Sequence, residues 1–179
     1  MKDEIKFRRI EQINDPAFAG FATVYRDAFG GAPYFEEYTD DGIQQDVWTP
    51  HIPECVIVAE TSQVIGLACC HAVLAPTEPS IRVFLLTQEL PFDPRETIYM
   101  SELAVLTQER QKGLGEALIQ ARFRWAKERG FSFYLLRTAA FNFRPPYCCR
   151  ALRDQGALLH PTACCLRLSP PVSSKIKRL

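Results

Sequence analysis

The chain has 179 residues with 21 basic and 21 acidic side chains, so its formal net charge is zero. This balance excludes a general electrostatic attraction to nucleic acid or anionic membranes, and no apolar run approaches the ~20 residues that span a bilayer. The length suits one domain, which we expect at residues 1–168 before a mobile tail at 169–179. The N-terminus lacks the apolar segment of a signal peptide, so we expect a cytoplasmic protein.

A strand and an amphipathic helix are expected near the start of the chain. Residues 5–10 form the strand, and Asn14 or Asp15 caps the helix that follows. Gly30 and Gly31 end this helix. Five apolar residues at helical spacing predict its buried face: Phe18, Phe21, Ala22, Tyr25 and Phe29.

A segment rich in acidic and aromatic residues follows. It spans residues 32–41 and leads into a second helix that extends to about Trp48. Residues 54–60 and 63–74 are two expected strands joined by a tight turn. The proline-containing stretch from 75 to 97 is an insertion whose role the sequence leaves open.

The chain has seven cysteines, and six of them stand in adjacent pairs. Neighbouring residues of a strand point to opposite faces, so such a pair cannot chelate zinc together. The odd count does not fit a secreted disulfide framework either. We therefore expect most of the cysteines to be small core residues, and we expect no metal site.

The most informative stretch is a strand, a glycine-containing turn and a helix. Residues 98–106 are apolar except for Ser101 and Glu102, which is typical of a buried strand. The helix ends at Gly130. Its apolar face repeats at steps of four, three and four residues: Leu114, Leu118, Ala121 and Trp125. Further strands are expected at 131–137 and at about 163–168.

The turn in this stretch has the composition of an anion-binding site. A helix start leaves its first N–H groups without partners at the positive end of the helix dipole. Gly113 and Gly115 lack the Cβ atoms that would hold an anion away, and Arg110 and Lys112 add positive charge. A tight turn with two solvated cations explains the same residues. P-loop and Rossmann motifs are excluded, because their lysine and third glycine are missing.

The turn and the strand before it together resemble a known motif. Glu-Leu-Ala-Val followed by Arg-x-x-Gly-x-Gly is similar to the acyl-CoA-binding motif of the GNAT N-acyltransferase superfamily, and the resemblance covers about residues 54–168. It implies an α/β fold with a mixed, mostly antiparallel sheet and helices on both faces. It also implies acetyl-CoA, or another acyl-CoA, as co-substrate.

The resemblance assigns the cofactor contacts to three parts of the chain. The CoA pyrophosphate is expected at the turn, and the pantetheine arm beside the central strand and near Asn142, for which a helix cap is the alternative role. An N–H of the central strand is expected to face the thioester carbonyl. The cofactor-binding residues on this basis are Leu103, Ala104, Val105, Arg110, Gln111, Lys112, Gly113, Leu114, Gly115, Glu116 and Asn142.

Glu102 is the candidate general base. Strand alternation predicts that it shares a face with Ile98, Met100 and Ala104. Apolar neighbours there would raise the pKa of its carboxyl group towards a value useful for proton abstraction. Acidic residues at this position act as base in some members of the superfamily. A carboxylate held by a backbone or arginine partner is the alternative.

The usual general acid of the superfamily is missing. A tyrosine that protonates the CoA thiolate often stands four residues before the glycine of the final helix, and here that residue is Leu152. Tyr147, about one helical turn earlier, is the candidate substitute, and a packing tyrosine is the alternative. Water can also protonate the thiolate.

The resemblance places the acceptor site between the first strand and the second helix. Tyr34, Glu36 and Glu37 are the candidate substrate-binding residues there, because carboxylates and ring faces attract a cationic amine. A solvated helix start explains the same residues without a ligand.

These features together predict an acyl-CoA-dependent N-acyltransferase without a metal. Its expected reaction is acetyl transfer to a primary amine of a small molecule or protein, by direct attack in a ternary complex. A GNAT-fold module that senses acyl-CoA without turnover is the alternative: Glu102 favours the enzyme, and the missing tyrosine keeps the sensing module open. The sequence does not name the acceptor, and it leaves a homodimer open.

Overall fold

The computed structural model describes residues 4–32, 34–75, 93–136, 158–160 and 163–167. Its elements, in chain order, are β1 (Lys6–Ile10), α1 (Phe18–Phe29), α2 (Asp40–Ile43), a π-helix (Gln44–Trp48), α3 (Thr49–His51), β2 (Cys55–Glu60), β3 (Val64–Ala72), a 3-10 helix (Pro94–Glu96), β4 (Thr97–Val105), a second 3-10 helix (Thr107–Glu109), α4 (Leu114–Glu128), β5 (Phe133–Leu136), β6 (Leu158–His160) and β7 (Ala163–Arg167).

The strands of the described residues form one sheet in the order β1-β2-β3-β4-β5-β7-β6. The pair β4–β5 is parallel, and the other described pairs are antiparallel. The predicted mixed, mostly antiparallel sheet is therefore confirmed. The central strand, β4, joins the antiparallel half to the parallel pair.

Helices cover both faces of the sheet. Gly66 of β3 faces α4, since a Cβ atom there would lie 3.0 Å from a leucine of that helix. His71, five residues further along β3, points to the opposite face, where its ring centroid lies 5.3 Å from that of His51 in α3. The helix α1 shares this second face, because Phe21 packs edge-on against Trp48 at 5.0 Å. We call the two sides the α4 face and the α1 face.

The apolar stripes predicted for the two long helices lie in the core. Asp15 does not occupy the N-cap position of α1, which is Ala17, but its carboxylate accepts a hydrogen bond from the N–H of Ala17 at 2.9 Å just before the helix. Gly130 follows α4 with a φ of 81°, which ends the helix. The predicted stripe residues are buried or packed against the core: Phe18, Phe21, Ala22, Tyr25 and Phe29 in α1, and Leu114, Leu118, Ala121 and Trp125 in α4.

The strand β4 contains one residue more than the part of β3 that it pairs with. The pairing shifts by one residue between Met100 and Leu103, so that Cys69 of β3 lies opposite both Ser101 and Glu102. This irregularity is a β-bulge. Because side chains alternate between faces along a strand, the extra residue reverses the alternation from this point onwards.

The structure extends the second predicted helix and adds short elements that were not predicted, among them the two 3-10 helices. The second helix does not stop at Trp48, because a π-helical turn and α3 continue it to His51. The short strand β6 was not predicted. The predictions for residues 76–92, for Asn142 and Tyr147, and for the tail lie outside the described residues.

Three described cysteines are buried free thiols, as expected for core residues: Cys55, Cys69 and Cys70. Burial raises the pKa of the Cys69 and Cys70 thiols, so both stay protonated at neutral pH. No helix in the described ranges is long and apolar enough to cross a bilayer.

Candidate active site

A buried arginine lies behind the bulge. Arg122 extends from α4 with 3% of its surface exposed. Its Nη1 donates hydrogen bonds to the carbonyl oxygens of Cys69 at 3.2 Å and Glu102 at 3.1 Å. Burial lowers the pKa of this guanidinium, yet arginine remains charged at neutral pH. The arginine therefore supplies partners to two carbonyl groups at the irregular part of the ladder.

The bulge places Glu102 on the α1 face. Unbroken alternation would put it with Ile98 and Met100, which share the α4 face with Gly66 of the paired strand. The extra residue separates Glu102 from both of them, whereas Ala104 stays on its side. The predicted shared face was therefore wrong for Ile98 and Met100 and right for Ala104.

Burial and, to a lesser degree, the charge of Glu102 raise the pKa of two tyrosines on the α1 face. The rings of Tyr25 and Tyr38 lie 5.0 Å apart. Burial, and then the charge of Glu102, raise the pKa of Tyr25 far above its ordinary value. Burial and the hydrogen bond to Glu36 raise the pKa of Tyr38 to about 12, and Glu102 adds to this increase. Both hydroxyl groups thus remain protonated beside the carboxylate.

The three predicted substrate-binding residues are exposed in the segment between α1 and α2. Tyr34 packs edge-on against a phenylalanine of α1 at 5.3 Å. Glu36 accepts a hydrogen bond from the hydroxyl group of Tyr38, which brings it towards the surroundings of Glu102. Among the described residues, no contact links Glu37 to the surroundings of Glu102.

A buried histidine binds the first residue of the bulge. The Nε2 atom of His51 lies 2.8 Å from the Oγ of Ser101. Its Nδ1 atom lies 2.6 Å from the carbonyl oxygen of Val47, one turn earlier in the π-helix. His51 is buried, whereas Ser101 is partly exposed. This pair lies on the α1 face next to Glu102.

The second half of β4 has a described neighbour on one side. The strand β5 pairs with residues 97–100, and β3 pairs with β4 on both sides of the bulge. Beyond Met100, no residue in the described ranges pairs with the β5-facing edge of β4. Leu103 and Val105, the predicted contacts of the pantetheine arm, lie on this part of the strand, and so does Ala104, a candidate donor to the thioester carbonyl.

The turn before α4 presents a continuous row of backbone N–H groups. Among the described residues, none accepts a hydrogen bond from the N–H groups of residues 111–116. Gln111 and Gly113 have left-handed φ angles of 63° and 81°, a conformation that gathers successive N–H groups into an anion-binding nest. A Cβ atom at Gly113 or Gly115 would meet nothing within 4 Å, so the space beside both glycines is open.

The charged side chains of this turn have partners of their own. The Nε of Arg110 donates to the carbonyl oxygen of Val105 at 3.2 Å, which folds the turn back onto the end of β4. The ammonium group of Lys112 lies 3.1 Å from the carboxylate of Glu109. Leu114 is buried in the core, so only its backbone can contact a ligand. The predicted residues 110–116 therefore lie together in one turn.

The sequence of the chain matches a family of known proteins. The sequence model of the Acetyltransferase (GNAT) family matches residues 14–144. The chain belongs to the GNAT acetyltransferase family. No curated protein matches it in sequence.

Solved structures of GNAT acetyltransferases share the fold. A GNAT family acetyltransferase from Brucella melitensis in complex with acetyl-CoA is 17% identical, with 94% of this chain and 90% of that chain covered and a TM-score of 0.62. A ribosomal-protein-alanine N-acetyltransferase from Escherichia coli is 12% identical, with 96% and 98% covered and a TM-score of 0.59. An aminoglycoside acetyltransferase from an uncultured soil metagenomic sample, in complex with sisomicin, is 18% identical, with 87% and 93% covered and a TM-score of 0.55.

Three residues of the candidate site were not predicted from the sequence: His51, Ser101 and Arg122. His51 follows a proline after the predicted end of its helix, and nothing in the sequence indicates the π-helical turn that directs it to the sheet. The extra residue in β4 has no sequence signal either. A polar Arg122 within the apolar face of α4 was the one available sign of a buried partner.

Protonation of His51 should destabilise the protein in acid. Burial, assisted by His71, lowers the pKa of His51 from 6.5 to about 4, although the bond to Val47 opposes the change. The unfolded chain therefore binds this proton more tightly than the folded chain. Above pH ~6.5 the free energy of unfolding is unaffected, and it falls by up to about 3 kcal/mol as the pH drops towards ~4.

Urea denaturation at a series of pH values measures this dependence, with His51→Gln as the control that carries no titrating ring. The variant should be less stable at neutral pH and should lose less stability between pH ~6.5 and ~4. Parallel curves for the two proteins would show that His51 does not titrate as described.

Proposed function

We propose that this GNAT protein transfers the acetyl group of acetyl-CoA to a primary amine of a small molecule or protein. The observation that carries the proposal is one juxtaposition along β4. A carboxylate, Glu102, lies on the α1 face at the bulge, and the same strand leads into the row of N–H groups at residues 111–116. Similar structures include one with acetyl-CoA bound and one with an aminoglycoside bound.

The proposed cofactor site follows the chain from the turn back to the bulge. The N–H groups of residues 111–116 bind the CoA pyrophosphate, as expected at a helix start with a nest, and Arg110 and Lys112 border it. The pantetheine arm lies along the edge of β4 beside Leu103 and Val105. Asn142 completes this set as a proposed contact to the arm.

The proposed reaction is direct transfer in a ternary complex. The lone pair of the amine nitrogen forms the bond to the thioester carbon, and Glu102 takes a proton from that nitrogen. An N–H of Leu103 or Ala104 stabilises the negative charge on the carbonyl oxygen. The C–S bond then breaks, and the CoA thiolate receives a proton from Tyr147 or from water.

The proposed acceptor site lies on the α1 face. Tyr34, Glu36 and Glu37 border it from the segment between α1 and α2, and their ring and carboxylate groups favour a cationic amine. Because GNAT enzymes as different as an aminoglycoside acetyltransferase and a ribosomal-protein-alanine N-acetyltransferase share the fold, we choose three probes: sisomicin, spermidine and a peptide with an N-terminal alanine.

Substitution of Gly113 should weaken the binding of acetyl-CoA. A Cβ atom at Gly113 enters the open space beside the N–H groups, where we place the pyrophosphate. The left-handed φ adds a backbone cost of roughly 1 kcal/mol to stability. We expect Gly113→Ala to raise the Kd of acetyl-CoA about tenfold or more, since it displaces charge-assisted hydrogen bonds. Calorimetry measures the change.

Gly130→Ala is the matched control, because Gly130 has the same φ of 81° and equally open surroundings at the other end of α4. The two variants should lose similar stability, and only Gly113→Ala should lose affinity. Equal affinity in both variants would place the pyrophosphate elsewhere. Gly115→Val separates the loss of affinity from the loss of stability further. It places a side chain in the same open space without the cost of a left-handed φ.

Removal of the carboxylate at the bulge should slow the transfer. Glu102→Gln keeps the shape of the side chain and loses its ability to accept a proton, so kcat should fall by roughly 10²–10⁴. The affinity for acetyl-CoA should barely change, since the proposed cofactor contacts are mostly backbone groups. Release of free CoA in the presence of the probe amines measures the rate, and the acid limb of the pH profile should disappear.

Glu128→Gln, at the exposed end of α4, controls for the loss of one negative charge. Full activity of Glu102→Gln with an unchanged acid limb would show that another group is the base. Binding of acetyl-CoA without release of CoA for any probe amine would instead favour the sensing module.

A further inference from the structure

The tautomer of the His51 ring determines whether the hydroxyl group of Ser101 presents its proton or its lone pairs to the proposed acceptor site. The carbonyl oxygen of Val47 can only accept a hydrogen bond, so the Nδ1 atom of His51, 2.6 Å away, carries the ring proton. In the neutral ring the Nε2 atom is then an acceptor. The hydroxyl group of Ser101, 2.8 Å from Nε2, must therefore donate its proton to His51.

This donation leaves lone pairs on the exposed side of Ser101. A hydroxyl group has one proton and two acceptor positions. The proton of Ser101 points into the core towards His51, and the serine itself is partly exposed. Burial lowers the pKa of His51 to about 4, so the ring stays neutral and the direction of both hydrogen bonds persists at neutral pH.

The lowered pKa of His51 also limits which reactions His51 and Ser101 can carry out together. Burial disfavours the protonated ring, so His51 is a weak base towards the hydroxyl group of Ser101. Hydrogen bonding is therefore the role that this geometry favours for Ser101. What remains is a hydroxyl group whose orientation is fixed and which can only accept hydrogen bonds from a ligand.

The bulge places this hydrogen-bond acceptor on the same face of the sheet as a second one, the carboxylate of Glu102. Ser101 and Glu102 both lie opposite Cys69 of β3. Ser101 is hydrogen-bonded to His51 on the α1 face, and the charge of Glu102 acts on Tyr25 on the same face. A primary amine carries two or more N–H protons on one nitrogen. The hydroxyl oxygen of Ser101 and a carboxylate oxygen of Glu102 can each accept a hydrogen bond from one of these N–H groups.

We propose that Ser101, oriented by His51, binds an N–H of the acceptor amine while Glu102 takes the proton that leaves. The proposal rests on the proposed function and deepens it, because it selects nitrogen nucleophiles with at least two protons. Ser101 takes no proton itself, so the atom and charge balance of the transfer is unchanged. In these terms Ser101 is a substrate-binding residue and His51 is a positioning residue.

The matched pair Ser101→Thr and Ser101→Val tests the role of the hydroxyl group, because threonine and valine have nearly the same shape. We expect Ser101→Val to raise the KM of the best of the three probe amines about 5- to 30-fold, as for one lost hydrogen bond. Ser101→Thr should stay within about threefold of the wild type. The KM of acetyl-CoA should be unchanged in both, which a general structural defect would not produce.

A second measurement uses the wild-type protein and needs no variant to fold. The ¹⁵N spectrum of the imidazole should show His51 with the proton on Nδ1 and a lone pair on Nε2 at neutral pH. The opposite tautomer would overturn the proposal, because Ser101 would then be free to donate to a ligand.

The kinetic outcomes separate this proposal from the proposed function. Amine turnover with equal KM values in Ser101→Thr and Ser101→Val would overturn the role of Ser101 and leave the acetyltransferase activity standing. Failure of all three amines to be acetylated by the wild type would overturn the proposed function and this inference with it. A threonine-rescued defect in the KM of the amine supports both.

Discussion

The bulge in β4, held by the buried Arg122, is the constraint on which the rest of the site depends. A guanidinium without hydrogen-bond partners in the core would be costly, and the carbonyl groups of Cys69 and Glu102 supply partners. The bulge in turn leaves carbonyl groups that need a donor. The Nη1 of Arg122 and these two carbonyl groups therefore satisfy one another, whereas its Nε has no partner among the described residues. The two hydrogen bonds tie the helix α4 to the point where β4 changes its alternation.

The change of alternation determines which side of the sheet carries the polar groups. In a regular strand Glu102 would face α4 and lie in the apolar core beside Met100. With one extra residue, Ser101 and Glu102 both lie on the α1 face, where Ser101 contacts His51 and the charge of Glu102 acts on Tyr25 and Tyr38. A single-residue irregularity thus separates a structural face from a functional face, a common use of bulges near active sites.

The segment between the bulge in β4 and the turn at 111–116 is short and is held by hydrogen bonds at Thr107 and Arg110. The carboxylate of Asp27 in α1 accepts hydrogen bonds from the N–H of Thr107 at 2.7 Å and from its hydroxyl group at 2.9 Å. Arg110 bonds back to the end of β4. These contacts anchor the chain between the bulge and the turn at 111–116, as the proposed site for a long cofactor requires.

The sequence predicts this fold well where the pattern is periodic and poorly where it is interrupted. The apolar repeat from Leu114 to Trp125 and the glycines at 113 and 115 identify the helix and the turn, because helical spacing and the lack of a Cβ atom are local properties. The face of Glu102 could not be predicted, since a bulge depends on the pairing with β3 and on Arg122, far away in sequence. The role of His51 likewise depends on a π-helical turn and a tertiary contact.

A crystal structure of the protein with acetyl-CoA tests the central claim most directly. We predict phosphate oxygens within about 3 Å of the N–H groups of residues 111–116, and the acetyl carbonyl beside the bulge on the α1 face, next to Ser101 and Glu102. A pyrophosphate bound away from this turn, or an acetyl group on the α4 face, would contradict the account.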